Sequence, residues 1–360
     1  MREGNFLILG KTDAVSKTAS VLPVNQMSAD FLIRLYQEAD FSQVLEIIRA
    51  ASHADGEAYL PTEAELRARF ATPHPDPRLD PAQDMFVAET PSAGLLAYAD
   101  GVLRGERESP IYQTWCFVPP ENRRRGIGRA LLERQWARAK EVSAQLGSDS
   151  LRLRARIFDT QLEARALFAE AAMHCVRYFF EMRRDLSPTA LRVRPIPSLD
   201  LPADLKLKSW AEQRQDHAVW EAMNEAFLDH WGSAPGRFET FEEQLTLGQF
   251  QPENSYMIWD GETLAGGTLN TMGPATAERL GRNQGWISRL FVRRPWRRRG
   301  LGHALLIASL RRAQTLGHES VGLNVDAENL TGALRLYESV GFYSTATLMI
   351  YERVYSGNGA

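Results

Sequence analysis

Hydrophobic positions along the chain form two successive series with the same order of elements. Apolar residues recur at helical spacing after Gly128 and again after Gly302, and each series predicts an amphipathic helix with one face in a core. Both predicted helices end at a Leu-Gly pair, where Gly147 and Gly317 can supply the left-handed C-cap. The repeated order predicts two similar structural units along the chain.

Strand-like segments flank both predicted helices. Residues 112–118 and 286–292 precede them, and alternating segments at 151–155 and 321–325 follow. A hairpin lies further upstream in each half, and the second hairpin contains Asp260-Gly261, a strong turn signal. Agreement over this many elements indicates an internal duplication. The predicted fold class is α/β, a mixed α+β sheet that occurs twice.

Length and composition define the predicted domains. With 360 residues, 44% hydrophobic and 24% charged, the chain is an ordinary globular sequence that is too long for one core. We predict an N-terminal domain over 28–186, a C-terminal domain over 205–355, and a linker over 187–204 that contains four prolines. Residues before about 27 show no clear period and are predicted to form an arm.

Charge and cysteine content exclude several functional classes. A formal net charge of −3 argues against a protein that coats nucleic acid. The two cysteines, Cys116 and Cys175, allow neither a disulfide framework nor a Cys-rich metal site. No apolar stretch is long enough to cross a bilayer. We therefore expect a cytoplasmic protein with no metal, nucleic-acid or membrane partner.

A glycine-rich turn with arginines joins strand to helix in both halves. The pattern R-x-x-G-x-G begins at Arg123 and again at Arg297, 174 residues further on. Glycines allow close backbone approach to a ligand, and the N–H groups and dipole at a helix start attract anions. The sequence predicts phosphate binding, with a basic surface turn as the plainer alternative. The predicted phosphate-binding residues are Arg123, Arg124, Arg125, Gly126, Ile127, Gly128, Arg297, Arg298, Arg299, Gly300, Leu301 and Gly302.

The spacing of these glycines separates this turn from two other phosphate loops. A dinucleotide-binding turn requires a third glycine, but Leu131 and Leu305 occupy that position. A P-loop requires Gly-Lys-Ser/Thr after four residues, which neither copy has. The pattern instead resembles the acetyl-CoA loop of GNAT acetyltransferases, Q/R-x-x-G-x-G/A.

The second half extends this resemblance. Residues 324–342 are similar to the GNAT motif N-x-x-A-x-x-L-Y-x-x-x-G-F. The resemblance implies two tandem GNAT folds, each a mostly antiparallel mixed sheet with a splayed parallel strand pair at the acetyl-CoA site. It also implies that Asn329 contacts the cofactor and that the Tyr337 hydroxyl faces the CoA sulfur. A helix N-cap and a core aromatic are the structural alternatives for these two residues. The strand ends that would pair with the pantetheine arm are Leu290, Phe291 and Val292, with Phe117 and Val118 in the first half.

The first half departs from the family pattern. Phe168 stands opposite Tyr337, and Ala172-Met173 stands opposite Gly341-Phe342. The hydroxyl is missing while the glycine turn is intact. We therefore hypothesise that the first domain binds the cofactor, or once did, and is poor or inactive in catalysis.

The general base is not evident from the motif. Many GNAT enzymes carry a glutamate on the strand before the loop, but this chain has Ser288 and Arg289 there. In this family the first helices of the domain line the site of the acceptor amine, which would place that site near residues 220–232 here. Asp229, His230 and Glu242 are alternative candidates for the base on that side. His230 is favoured because the unperturbed pKa of histidine is about 6.5, although an exposed loop histidine has the same sequence signature.

The resemblance points to a reaction class. The two-domain layout resembles mycothiol synthase-like acetyltransferases, which implies acetylation of a cysteinyl amine on a cysteine–glucosamine–inositol pseudodisaccharide. Many two-domain acetyltransferases share the layout, so the acceptor stays open. We predict an acetyl-CoA-dependent N-acetyltransferase that acts on a small primary amine in the second domain, as a monomer or homodimer. The alternative is a non-enzymatic acyl-CoA sensor or scaffold.

Overall fold

A computed structural model describes residues 26–27, 30–56, 61–71, 79–92, 94–104, 110–228, 230–232, 236–273, 282–328 and 332–356. The predicted N-terminal arm lies outside these residues. Within the described part, no helix is long and apolar enough to cross a membrane. The strands are β1 Gln26–Met27, β2 Leu32–Leu35, β3 Met85–Thr90, β4 Gly94–Arg104, β5 Ile111–Phe117, β6 Ser150–Phe158, β7 His174–Asp185, β8 Leu205–Ser209, β9 Tyr256–Asp260, β10 Thr263–Thr271, β11 Gln284–Val292, β12 Ser320–Asp326 and β13 Tyr343–Ser356.

Helices cover both faces of the sheet in each half. The helices are α1 Phe41–Ala54, α2 Glu63–Ala71, α3 Ile127–Leu146, α4 Leu162–Glu170, α5 Pro188–Val193, α6 Asp216–Phe227, α7 Phe238–Thr246, α8 Leu301–Thr315 and α9 Ala333–Ser339. In the second half, alternate strand residues face opposite ways: Phe291 packs with α6 and α7, while Leu290 packs on the α8 side. The equivalent helices α1 and α3 divide the faces of the first half in the same way.

One sheet runs through both halves, in the order β1-β2-β3-β4-β5-β6-β13-β7-β12-β11-β10-β9-β8. Most neighbours are antiparallel, and two pairs are parallel. Strands β5 and β6 pair over only three positions from Ile111, and β11 and β12 over only three from Gln284. Beyond these positions each parallel pair separates, which confirms the predicted mixed sheet with two splayed strand pairs.

The last strand of each half lies between strands of the other half. Strand β7 follows the first glycine turn in the chain, yet it pairs with β12 over seven positions. Strand β13 ends the second half and pairs with β6 over nine positions. Strands β7 and β13 also pair with each other. The halves therefore share one hydrogen-bonded centre. The residue ranges proposed for the domains stay a prediction, and the predicted linker contains the short helix α5.

A buried ion pair joins the halves at this centre. Arg154 on β6 lies 2.6 Å from Glu352 on β13, and their side chains are 10% and 8% exposed. We expect Arg154→Ala to lower the free energy of unfolding by about 3 kcal/mol, because the buried Glu352 carboxylate loses its close partner. Urea unfolding measures this change.

The matched control for this change is Arg49→Ala, which breaks an exposed pair with Glu46. We expect that variant to lose under about 1 kcal/mol. Equal unfolding midpoints for the Arg154 and Arg49 variants would show that the central ion pair does not stabilise the junction.

Candidate active site

The two glycine turns have the same backbone geometry. Gly126 and Gly300 both have a φ of 80°, and Arg124 and Arg298 both have a φ of 64°. An added Cβ on either glycine would meet no atom within 4 Å, so the space beside these glycines is open. Glycine is favoured at both positions because its backbone adopts the left-handed conformation without strain. A non-glycine residue held in this region is strained, and such strain often marks a functional site.

A helix begins directly after each turn. Helix α3 starts at Ile127 and α8 at Leu301. The first N–H groups of a helix have no partner inside it, and the helix dipole makes this end positive. Both turns therefore offer an anion several N–H donors together with open space.

The loop arginines divide into three groups by their contacts. The first arginine of each loop binds the end of the preceding strand: Nε of Arg123 donates to Val118 O at 2.9 Å, and Nε of Arg297 donates to Val292 O at 3.1 Å. Arg298 is exposed and makes no polar contact with another described residue. In the second half, Arg298 is therefore the arginine best placed to meet a phosphate. The other three are paired, Arg124 with Glu163, Arg125 with Asn122, and Arg299 with Asp204.

Strand β11 presents the predicted cofactor edge. Leu290, Phe291 and Val292 pair with β10 on one side. On the other side, pairing with β12 ends at Trp286, so among the described residues no strand covers that edge further along. A ligand with amide groups could bind there as an additional strand. The same opening follows Gln113 of β5, before Phe117.

A β-bulge distinguishes the second strand from the first. Leu269 of β10 lies opposite Arg289, but the next residue, Asn270, lies opposite Ile287, so Ser288 is an extra residue in β11. Strands β4 and β5 pair over seven positions without such a shift. Because bulges bend a strand and redirect its groups, the second half has a locally reshaped edge beside Leu290.

Tyr337 lies on α9 beside this strand. Its side chain is 7% exposed and packs in the cluster that contains Ile287 and contacts Leu290. Its ring meets Phe342 edge-on, with centroids 6.0 Å apart. The hydroxyl makes no hydrogen bond with another described residue. Burial raises the pKa of Tyr337, so the phenol keeps its proton at neutral pH and remains a donor.

The turn, the strand and the tyrosine lie close together in the second half. A Cβ on Gly302 would lie 3.0 Å from Leu336 Cδ2, and Leu336 is the neighbour of Tyr337 on α9. On the opposite face of β11, a cleft of about 250 Å³ lies against α6 and α7. The second turn thus contacts α9 through Leu336, Tyr337 of α9 shares a hydrophobic cluster with Ile287 and Leu290 of β11, and a cleft lies on the other face of that strand.

Comparison with known proteins identifies the family. Residues 217–342 match the model of the acetyltransferase (GNAT) family. The chain is 30% identical over 339 residues to a mycothiol acetyltransferase of Geodermatophilus obscurus, covering 91% of this chain and 99% of the relative. The chain belongs to the GNAT acetyltransferase family. A mycothiol acetyltransferase of Parafrankia sp. is 28% identical, over 89% of this chain and 97% of the relative.

Solved structures of GNAT proteins share the fold, and one of them is a tandem GNAT protein. A GCN5-related N-acetyltransferase from Sphaerobacter thermophilus aligns with a TM-score of 0.69 at 23% identity, covering 92% of this chain and 98% of that one. A tandem GNAT protein from the clavulanic acid biosynthesis pathway aligns with a TM-score of 0.64 at 17% identity, covering 92% and 100%. The predicted tandem GNAT fold and the acetyltransferase class are confirmed.

The first GNAT half lacks the hydroxyl. Phe168 occupies the position of Tyr337, and its ring packs on Tyr351 of β13 with centroids 5.2 Å apart. Ala172 has a φ of 54° where the second half has Gly341 at 96°. The first half thus keeps the shape of the motif while an alanine accepts backbone strain that glycine would avoid.

The remaining predicted site residues stay predictions. Asn329 and Asp229 lie outside the described residues. His230 follows α6, and its ring packs at a tilt against Phe227 with centroids 4.4 Å apart. Glu242 is exposed on α7. None of these contacts places a base against β11, so the assignment of His230 stays a prediction. The bulge at Ser288 had no sequence signal, because no glycine or proline stands within two residues of it.

Proposed function

We propose that the protein is an acetyl-CoA-dependent N-acetyltransferase that acetylates the primary amine of a small molecule in its second half. The observation that carries the proposal is the position of Tyr337: a buried tyrosine whose hydroxyl has no partner among the described residues, in the cluster that includes Ile287 and Leu290 of the bulged strand β11. The first half has the same glycine turn but neither the bulge nor the hydroxyl. This difference supports chemistry in the second half.

The residues around the second turn fit acetyl-CoA. The N–H groups at Gly300–Gly302 and the guanidinium of Arg298 would hold its phosphates. The open edge at Leu290–Val292 would hold the pantetheine arm, because that arm carries amide groups that can pair with a strand. When bound, acetyl-CoA supplies an acyl thioester whose carbonyl carbon an amine can attack.

The protein groups contribute to the transfer in three ways. A main-chain N–H of β11 would donate to the thioester oxygen, where negative charge develops. Tyr337 would donate its proton, or a strong hydrogen bond, to the sulfur as the C–S bond breaks. The amine must lose a proton as the C–N bond forms, and His230 is the candidate that we retain as the acceptor of that proton.

We propose a different role for the first half. In its turn, Arg124 and Gly126 have the same left-handed conformation as Arg298 and Gly300 of the second turn, which supports binding of the same cofactor. Phe168 cannot donate a proton to a thiolate, so we propose that this half is poor or inactive in transfer. The strands exchanged within one chain make a monomer sufficient for the fold, and we propose a monomer or homodimer as the working state.

The test is acceptor-dependent thiol release from acetyl-CoA. The acceptor panel contains cysteinyl sugars, aminoglycosides, polyamines and amino acids, with the cysteinyl amine included because the relatives are mycothiol acetyltransferases. We expect at least one acceptor to raise the rate at least about tenfold above the acceptor-free rate. Saturable acetyl-CoA binding with no rise for any amine would instead support the sensor function.

A further inference from the structure

The cleft beside β11 is built by both halves of the chain. Helices α6 and α7 form its walls, and Arg289 of β11 lines it from the second half. Arg104, at the end of β4 in the first half, lines the same cleft. The acceptor side of the second half is thus completed by a residue of the first.

The described lining of this cleft is cationic and aromatic. It contains three arginines and no aspartate or glutamate. Arg237 is paired with Glu239 at the surface. The side chain of Arg289 donates only to the main-chain oxygen of Ser288 among the described residues, at 2.7 Å, and the side chain of Arg104 has no hydrogen bond or ion pair with any of them. Two guanidinium groups therefore line one cleft with no carboxylate partner in the described part of the chain.

The surroundings of these arginines favour an added negative charge. Burial lowers the pKa of Arg289, and burial together with Arg69 and Arg156 lowers that of Arg104. Solvent still reaches both side chains, so a ligand can too. Arginine stays charged at neutral pH, and its fork of N–H donors matches a carboxylate or phosphate. Trp220 and Phe227 form an apolar wall of the cleft beside the two arginines.

The position of Arg289 connects this cleft to the transfer site. Arg289 follows the bulged Ser288 and precedes Leu290, whose strand edge is proposed to hold the thioester. Side chains alternate along a strand, so Arg289 and Phe291 share the face covered by α6 and α7. An acceptor bound to Arg289 would therefore lie on the α6–α7 side of the proposed thioester position.

We infer that this cleft binds the acceptor through an anionic group, a carboxylate or a phosphate, held by Arg104 of the first half and Arg289 of the second. The acceptor is then a primary amine with an acidic group and an apolar portion. This inference rests on the proposed function for the identity of the amine, but the anion site can be measured without turnover. It also gives the first half a role in substrate binding.

Binding is tested by calorimetry with phenylacetate, benzyl phosphate and the neutral phenylacetamide. We expect the wild-type protein to bind one or both anions at least about tenfold more tightly than the amide. Arg104→Gln and Arg289→Gln should each weaken anion binding by about tenfold to a hundredfold and leave the amide unchanged. The better of the two anions identifies the acidic group. Arg214→Gln removes an arginine paired with Asp216 outside the cleft and should match wild type.

Kinetics then separate this inference from the proposed function. Among acceptors that are turned over, we expect an acid to exceed its amide at least about tenfold in kcat/KM, and Arg104→Gln to remove this preference through KM. Equal binding of phenylacetate, benzyl phosphate and phenylacetamide, or an Arg104→Gln variant that matches Arg214→Gln, would overturn the anion site. Anion binding without any thiol release would instead contradict the proposed transfer and leave the anion site standing.

Discussion

Replacing Tyr337 by phenylalanine should lower acceptor-dependent thiol release by about a hundredfold to a thousandfold, with little change in acetyl-CoA affinity. The ring stays in place because its packing against Phe342 does not need the hydroxyl. The change removes one donor, which the raised pKa keeps protonated at neutral pH. General acid catalysis contributes about 10²–10⁴-fold, so the expected loss corresponds to about 3–4 kcal/mol of barrier. Steady-state rates with the acceptor found in the panel measure it.

The matched control removes a hydroxyl elsewhere. Tyr343 lies beyond Phe342, and its exposed hydroxyl bonds Asp185 at 2.8 Å. Tyr343→Phe should keep the wild-type kcat, because this hydroxyl faces an ion pair on β7. A Tyr337→Phe rate within about threefold of wild type, with the fold intact by circular dichroism, would mean that the departing thiolate is protonated by another group.

The sequence was most informative where the chemistry is local. A glycine that must adopt a positive φ leaves a signal within six residues, and the signal at Gly126 recurs at Gly300. Helical periodicity after each turn predicted α3 and α8, because one face of each helix must meet the sheet. The substitution of Phe168 for Tyr337 was visible from alignment of the two halves alone.

Long-range pairing was beyond the sequence. Strands β7 and β13 were not predicted, and the alternation of their residues does not specify which neighbouring strands they pair with. Their exchange depends on the relative placement of both halves. The bulge at Ser288 arises from the register between β10 and β11, and the residues next to Ser288 do not specify that register. The approach of Arg104 to α6 and α7 depends on the relative placement of the two halves, so the cleft could be found only in the folded chain.

Substitutions in the two glycine turns should give the second large effect, because they distinguish acetyl-CoA binding in each half from acetyl transfer. Gly302→Glu places a carboxylate at the helix start that is proposed to hold the phosphates, so like charges would repel. We expect acetyl-CoA affinity at that site to fall at least about a hundredfold and transfer to be lost. The equivalent Gly128→Glu should remove a second binding event and leave transfer largely intact. Calorimetry should count two sites in wild type and one in either variant.

Two controls make this comparison decisive. Gly302→Ala adds only a Cβ, which meets the flexible end of Leu336 at 3.0 Å, and should keep most of the activity. In the first half the same Cβ on Gly128 lies 3.5 Å from Leu167, an ordinary contact. If Gly128→Glu abolished transfer while Gly302→Glu kept it, the chemistry would belong to the half that has Phe168, and the role of Tyr337 would fall with it. If calorimetry found one site in wild type and Gly128→Glu left it unchanged, the first turn would have kept its shape without its ligand. The first half would then serve the enzyme only through the shared sheet and through Arg104 in the acceptor cleft.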